Sequence, residues 1–174
     1  SWLVGERRRH DRDCNWGGQA VMAAVALIAG LAVEDGGMRV ACAIERDERV
    51  CEVSAPTSGW VAVGFNRPNA GLDGARLVMG RVQGGGAVLE VHVCRPPAHQ
   101  RRAATGAPDR IRALPVSGRA PSAAGGGTTL RWAIPLAAAA PDDVALVPGG
   151  AVELILAFSS DGDFQHHSAF RRHH

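Results

Sequence analysis

The chain has 174 residues, enough for one ordinary domain with a buried core and little more. Its formal net charge is +2, with acidic and basic residues interspersed. That distribution argues against nucleic-acid binding, because phosphate recognition needs a concentrated basic face. Tyrosine is absent and there are only four phenylalanines and four tryptophans, whereas glycine (22) and proline (10) are plentiful. This composition favours a turn-rich β structure over a helix bundle.

Near the N-terminus, residues 20–33 form the uncharged run AVMAAVALIAGLAV behind an arginine-rich stretch. The run is shorter than the ~20 residues of a membrane-spanning helix and is typical of the hydrophobic region of a secretory signal, with cleavage near residues 30–32. A buried core helix is the alternative, and acidic residues before the run count against a signal. We therefore predict an extension with a signal peptide over residues 1–32.

The remaining residues, 33–174, are predicted to form one domain that is secreted or periplasmic and has no stable membrane span. Such a compartment is oxidising. Three cysteines fall in this domain: Cys42, Cys51 and Cys94. An odd count leaves at least one thiol unpaired within the chain.

The first β hairpin is predicted from period-two alternation in residues 38–44 and again in residues 51–55. A polar turn separates the two segments, and a turn centred on residues 46–47 would pair Cys42 with Cys51 on the inner face. A disulfide bridge between them and two buried free thiols are both compatible with this register.

Further short strands follow, separated by glycine and proline. They are expected at residues 60–65, 75–82, 88–93, 128–134 and 151–158. Residues 95–126 are weakly patterned, as expected for a functional loop or a segment that hides a short strand. This succession predicts an all-β fold, an antiparallel β-sandwich.

Three segments resemble the DOMON family: TSGWVAVGFNRPNAGLDGARLVMGRV (57–82), TTLRWAIPL (128–136) and LVPGGAVELILAFSSDGDFQHHSAFRR (146–172). Together the resemblance spans about residues 38–172. It implies an immunoglobulin-like sandwich, located outside the cytoplasm, that binds haem or a sugar. Haem-binding members hold a b-type haem between a methionine and a histidine, an axial pair suited to electron transfer.

The resemblance places the histidine ligand at His166 or His167, and the alignment favours His167. The methionine position falls on Leu72, which cannot coordinate iron. Met79 is first a core residue of its strand and only second a substitute ligand. Arg171 would meet a haem propionate, since guanidinium pairs well with carboxylates.

Other candidate residues receive simpler interpretations. The pattern of residues 88–93 puts His92 on the outer face of its strand, whereas Trp60 and Trp132 are expected in the sandwich core. His99 is expected in a solvated loop, and His173 and His174 in an exposed tail.

No nucleophile elbow, HExxH motif or phosphate-binding loop occurs in the sequence. We therefore expect a module without a catalytic site of its own, with haem b as cofactor, a function in electron transfer or redox sensing, and a redox protein or domain as partner. The alternative is a non-haem module of the same fold that holds a sugar, another small molecule or a protein. Leu72 favours the alternative, and the histidine pair favours haem.

Overall fold

The computed structural model describes residues 25–26, 30–95, 98–101, 110–116, 127–137, 147–164 and 170–173. Within these ranges the chain forms twelve strands and no helix. The strands are β1 (Val25–Ala26), β2 (Gly30–Asp35), β3 (Met38–Glu45), β4 (Glu48–Ala55), β5 (Val61–Asn66), β6 (Arg76–Gln83), β7 (Gly86–Arg95), β8 (Ala98–Arg101), β9 (Arg112–Leu114), β10 (Thr128–Pro135), β11 (Ala151–Phe158) and β12 (Phe170–His173).

The strands are arranged in two antiparallel sheets, which confirms the predicted all-β sandwich. The large sheet has the order β1-β11-β5-β6-β7-β8, and β12 also pairs with β11. Both β1 and β12 lie along the edge of β11 that β5 does not occupy, β1 beside its start and β12 beside its end. The small sheet has the order β2-β3-β4-β10-β9.

The main core lies between the two sheets and follows the alternation of the sequence. On β10, Leu130, Trp132 and Ile134 are all buried in it, as predicted. From the large sheet, Val61, Val63 and Phe65 of β5 belong to the same cluster. Each such aliphatic or aromatic side chain contributes roughly 1.5–3 kcal/mol when it is fully removed from water.

The β3–β4 hairpin has the predicted register, with Val40 opposite Val53 and Cys42 opposite Cys51. Cys42 and Cys51 form a disulfide bond with an S–S distance of 2.07 Å, which decides the alternative that the sequence left open. Cys94 is buried and forms no disulfide.

Residues near the N-terminus take part in the fold. Strand β2 pairs with β3 along its full length and places Leu31 in the main core. The strand therefore crosses the boundary that the sequence places between residues 32 and 33. The signal peptide and the domain boundary stay predictions.

Two segments that sequence patterning treats as irregular contain strands. Strands β8 and β9 lie within residues 95–126, and His99 belongs to β8, opposite Cys94, and not to a loop. At the C-terminus, the backbone of His173 lies in β12 opposite Ile155, so a strand forms where the sequence predicts a tail; His174 lies outside the described residues. These strands are three or four residues long, too short to show a period.

Two arginines are fully buried on the inner side of the sandwich, Arg49 of β4 and Arg76 of β6, the register partner of Phe65. Arg49 is the register partner of Ile134 and is fully buried. Its three guanidinium nitrogens have no hydrogen-bond partner within the part of the chain that the structure describes. Burial lowers the pKa of the Arg49 guanidinium, because desolvation disfavours its charged form.

No described segment is a helix of the length and apolar character needed to cross a membrane.

Candidate functional site

A second hydrophobic cluster covers the outer face of the large sheet, the face turned away from the small sheet. This outer cluster consists of Trp60, Ala62, Ala75, Leu77, Met79, Cys94, Ile155, Ala157 and Phe164, with Leu72 and Val88 packed partly buried against it. An outer face of an antiparallel sandwich is ordinarily solvated and polar. Burial on this side therefore marks the face as a place where something packs against the sheet.

The floor of the outer cluster is a row of register partners that runs across four strands: Ile155, Gly64, Leu77 and His92. A Cβ atom added to Gly64 would lie 2.5 Å from Leu77 Cδ2 and 3.0 Å from Ile155 Cβ. Glycine at this position lets the neighbouring side chains spread over the sheet. Ala62 and Ala157, also register partners, belong to the next row, and their short side chains rise little above the sheet.

His92 is the buried imidazole of this face, with no solvent exposure. Its Nε2 lies 3.0 Å from Glu90 Oε2, on the same face of β7. An ionised carboxylate only accepts hydrogen bonds, so Nε2–H donates to Glu90. The Phe164 ring meets the imidazole edge-on, with the two ring centroids 6.2 Å apart. The predicted placement of His92 on the outer face is confirmed. Its complete burial was not predicted.

The loop after β11 is tied to the segment before β5. The Trp60 amide donates to the Asp161 carbonyl oxygen at 3.0 Å, and the Ser159 amide donates to the Trp60 carbonyl oxygen at 3.0 Å. The Thr57 hydroxyl donates to the Ser159 carbonyl oxygen at 2.6 Å. Only glycine fits at Gly59, because a Cβ there would overlap the Ser159 carbonyl oxygen. These bonds fix where the loop leaves the sheet.

Beyond this point the loop is held by Arg81 of β6. The Arg81 guanidinium donates to the Gly162 carbonyl oxygen and lies over the Phe164 ring, 5.0 Å from its centroid. A cation over an aromatic face is worth roughly 0.5–1 kcal/mol at an exposed site. Phe164 is consequently buried against the outer cluster.

The loop between β5 and β6 brings Leu72 to the same cluster. The Asn66 side-chain amide donates to the carbonyl oxygens of Gly71 (2.6 Å) and Asp73 (3.0 Å). Glu153 Oε2 accepts from the Gly71 amide at 3.0 Å. Leu72, held between these bonds, packs partly buried against the outer cluster.

Several residues singled out in the sequence converge on this face. Met79 is buried in the outer cluster between its register partners Ala62 and Glu90, which confirms that it is a core residue of its strand. Trp60 is buried in the outer cluster too, whereas only Trp132 lies between the sheets. Alternation along one strand separates its two faces but does not say which face the partner sheet covers.

The predicted histidine ligands, His166 and His167, lie outside the described residues; they follow Phe164 by two and three positions. Arg171 lies in β12, where its backbone is the register partner of Ala157 in the outer-cluster rows. Among the side chains that the structure describes, no group of three or more His, Cys, Asp or Glu is placed to hold a metal ion.

Comparisons with known proteins agree with this architecture. No protein-family model and no curated protein matches the chain. Among solved structures, the cytochrome b domain of pyranose dehydrogenase from Coprinopsis cinerea matches with a TM-score of 0.59. The match covers 84% of this chain and 80% of that one, at 12% sequence identity. The chain has a DOMON-like fold. At this identity the match establishes the fold alone.

A haem group fits the chemistry of the outer cluster of this DOMON-like fold. The face is apolar, and the thioether of Met79 on it is a potential iron donor. The indole Nε1 of Trp60 is buried without a hydrogen-bond partner among the described residues. A donor left in this state costs about 1–3 kcal/mol unless a ligand acceptor, such as a propionate oxygen, satisfies it.

Proposed function

We propose that the protein is an extracytoplasmic DOMON-type domain that binds haem b on the outer face of the large sheet and serves in electron transfer or redox sensing. The observation that carries this proposal is the outer cluster itself. A buried apolar surface, which includes several small residues and a buried imidazole, occupies a face that a simple sandwich leaves to solvent. Such a surface suits a flat, largely apolar cofactor.

Different residues of this chain would have different roles in haem binding. His167, with His166 beside it, is the proposed axial ligand from the loop after β11. Phe164, Leu77 and Ile155 line the apolar surface and would keep water from a bound haem. Arg171 is the proposed partner of a propionate. Haem iron bound in this way would supply one-electron redox chemistry.

Localisation and partner follow from the same proposal. The Cys42–Cys51 disulfide is typical of an oxidising compartment, which supports secretion or export to the periplasm. A single redox group needs a donor or acceptor, so we propose a redox protein or domain as partner. The module has no catalytic role of its own in this proposal.

A non-haem binding module of the same fold is the second candidate. Leu72, at the position where the resemblance expects methionine, packs against the outer cluster as an ordinary apolar side chain. A face completed by leucine would hold a sugar ring or another small molecule by packing alone, or a protein partner.

Titration of the full-length protein with hemin tests the haem proposal. We expect a sharp Soret shift and, after reduction, a defined α band, both lost in His167→Ala. His166→Ala is the neighbouring comparison, and His10→Ala controls for the loss of any one histidine. If neither loop substitution changes the spectrum, or if no specific spectrum appears, the haem proposal fails and the non-haem module becomes the assignment.

A further inference from the structure

We propose that residues 162–164 form a lid over the outer cluster and that Arg81 is the latch that holds this lid closed. Phe164 is the part of the lid that covers the cluster, and Gly162 is its hinge. The closed lid is the resting state, and a ligand reaches the outer face when Arg81 releases the loop. This inference rests on the proposed function only where hemin is the ligand.

Phe164 joins the outer cluster from outside the sheet. Its side chain is buried, and its ring meets the imidazole of His92 edge-on, with the ring centroids 6.2 Å apart. His92 lies in β7 and is itself fully buried. The imidazole therefore gains contact with solvent when Phe164 moves away, so the position of this one ring controls access to the face.

The fixed part of the loop ends at Asp161. Its carbonyl oxygen accepts the hydrogen bond from the Trp60 amide, which anchors the loop exit beside β5. Beyond it, the Asp163 amide donates to Asp161 Oδ1 at 2.8 Å, a bond within the loop itself. Gly162 and Asp163 are exposed. The lid can therefore move on Asp161 while the backbone bonds that anchor the loop exit stay intact.

Arg81 ties the lid to the sheet. It lies in β6 opposite Val88, which packs against the outer cluster. Its guanidinium donates to the Gly162 carbonyl oxygen and lies over the Phe164 ring, 5.0 Å from the ring centroid. One side chain thus holds both the hinge and the covering ring. Movement of Arg81 would release the two contacts together, which is the behaviour of a latch.

The closed latch is only partly satisfied. Arg81 Nε is buried and has no hydrogen-bond partner within the described part of the chain. Water can satisfy this donor when the guanidinium moves outward, which offsets part of the contacts that opening loses. The guanidinium also donates to Gln83 Oε1 of its own strand at 3.2 Å, a bond that does not depend on the lid. Both features bring the open state closer in free energy to the closed state.

Gly162 provides a test of the hinge. A Cβ atom added there would lie 3.9 Å from Arg81 Nη1, an ordinary contact, and the backbone is not in the left-handed region. Gly162→Ala therefore fits the closed state, and it removes conformations from the open state. We expect this substitution to lower the population of the open lid by about two- to fivefold.

The thiol of Cys94 reports the opening. It is buried in the outer cluster, forms no disulfide and lies on the same face of β7 as His92. A thiol reagent reacts with it through open states, so the labelling rate follows the opening equilibrium when the lid closes faster than the reagent reacts. The measurement is labelling of the full-length protein with N-ethylmaleimide, followed by mass spectrometry, in a Cys14→Ser background.

Arg81→Met keeps the alkyl stem and removes the latch. We expect labelling of Cys94 to be roughly tenfold faster in this variant, because hydrogen bonds to charged groups are worth about this factor or more. Arg131→Met removes an arginine of the small sheet and should label at the wild-type rate. Phe164→Ala removes the covering ring and should label fastest, whereas Gly162→Ala should label more slowly than the wild type.

Two results would overturn the inference. Equal labelling in Arg81→Met and Arg131→Met would show that Arg81 is not a latch, and wild-type labelling in Phe164→Ala would show that the ring is not a cover. If Arg81→Met reacts through global unfolding, recognised from its urea denaturation, Gly162→Ala decides. An unchanged labelling rate in Gly162→Ala then rejects the lid.

Hemin binding separates the lid from the proposed function. If the wild type binds hemin, association should be faster in Arg81→Met by the same factor as the labelling of Cys94, since both follow the population of the open state. Faster labelling with unchanged hemin association would show that hemin enters by another route and would overturn the lid as its gate. If the wild type binds no hemin, the proposed function fails, while the labelling of Cys94 still decides whether the lid exists.

Discussion

The two faces of the large sheet are both buried, but they are built differently. On β5, Val61, Val63 and Phe65 face the small sheet, whereas Ala62 and Gly64 face outward, and all of them are buried. The inner face has bulky side chains that interlock with a second sheet. The outer face has the small residues Ala62 and Gly64 on this strand and is covered by loops.

The inner face therefore contributes mainly to stability, whereas the outer face can rearrange more easily. Two packed sheets leave little space for rearrangement, since protein interiors have crystal-like packing density. A surface covered by a loop opens at a lower cost, because fewer buried contacts are lost. The outer face also carries an imidazole and a thiol, His92 and Cys94, whereas the described inner face carries two buried arginines, Arg49 and Arg76, and the disulfide.

The largest expected effect compares one tryptophan from each face. Trp132→Ala should lower the free energy of unfolding by about 3–5 kcal/mol, because it leaves a cavity between two rigid sheets. Trp60→Ala should cost less, about 1–3 kcal/mol, because the loop over it can settle. Urea denaturation of both variants measures the difference. Equal losses would mean that the outer cluster is as rigid as the main core.

Removing the disulfide should be the next largest effect. The double variant Cys42→Ala/Cys51→Ala should lose about 2–3 kcal/mol, since the bridge closes a short loop across β3 and β4. Cys94→Ala, on the outer face, is the control and should lose less. Thermal unfolding with and without reductant checks the assignment; a reductant effect that persists in the double variant would contradict it.

Two buried glycines, one on each face, offer the sharpest comparison. Gly64→Ala would press on Leu77 and Ile155, and Gly80→Ala would press on Leu130 and Leu89. Each should cost about 1–3 kcal/mol through overpacking.

Only Gly64→Ala should alter the outer face of the large sheet, where we propose that the ligand binds. We expect hemin affinity to fall in Gly64→Ala and to stay near the wild-type value in Gly80→Ala, measured where both proteins are folded. Equal hemin affinity in the two variants would argue that the ligand does not lie on the outer face.

The smallest expected effect lies on the small sheet, whose outer face is exposed. Arg39 Nε lies 3.2 Å from Glu34 Oε2, with 73% and 67% of the two side chains exposed. Glu34→Gln should change the free energy of unfolding by less than about 1 kcal/mol, because water and salt screen the pair. A double-mutant cycle with Arg39→Gln measures the coupling, and a value well above this bound would show that this face is covered as well.

Sequence patterning predicts most of the fold. The β3–β4 register and the bounds of β11 agree with the structure because long alternating segments specify which residues share a face. Strands β8, β9 and β12 were not predicted, because three or four residues show too little periodicity. Arg49 was missed because a charged residue at the start of a strand ordinarily belongs to a solvated turn.

The candidate site was predicted less completely. The resemblance directed attention to His166, His167 and Leu72, and the alternation of β7 placed His92 on the outer face. Burial of that face could not be read from alternation, because it depends on a loop distant in sequence: Phe164 lies far along the chain from His92. The Glu90–His92 spacing of two residues on one face was the signal that could have pointed to the pair.

The anchored exit of the loop after β11 has a consequence for affinity. Hydrogen bonds at Ser159 and Asp161 already hold the backbone up to that point, and Arg81 holds Gly162. Ordering a free residue costs roughly 1–2 kcal/mol of backbone entropy. Capture of a ligand by this loop would not have to order residues 159–162, because they are already held. The anchored segment therefore leaves more of the contact energy available as net binding strength.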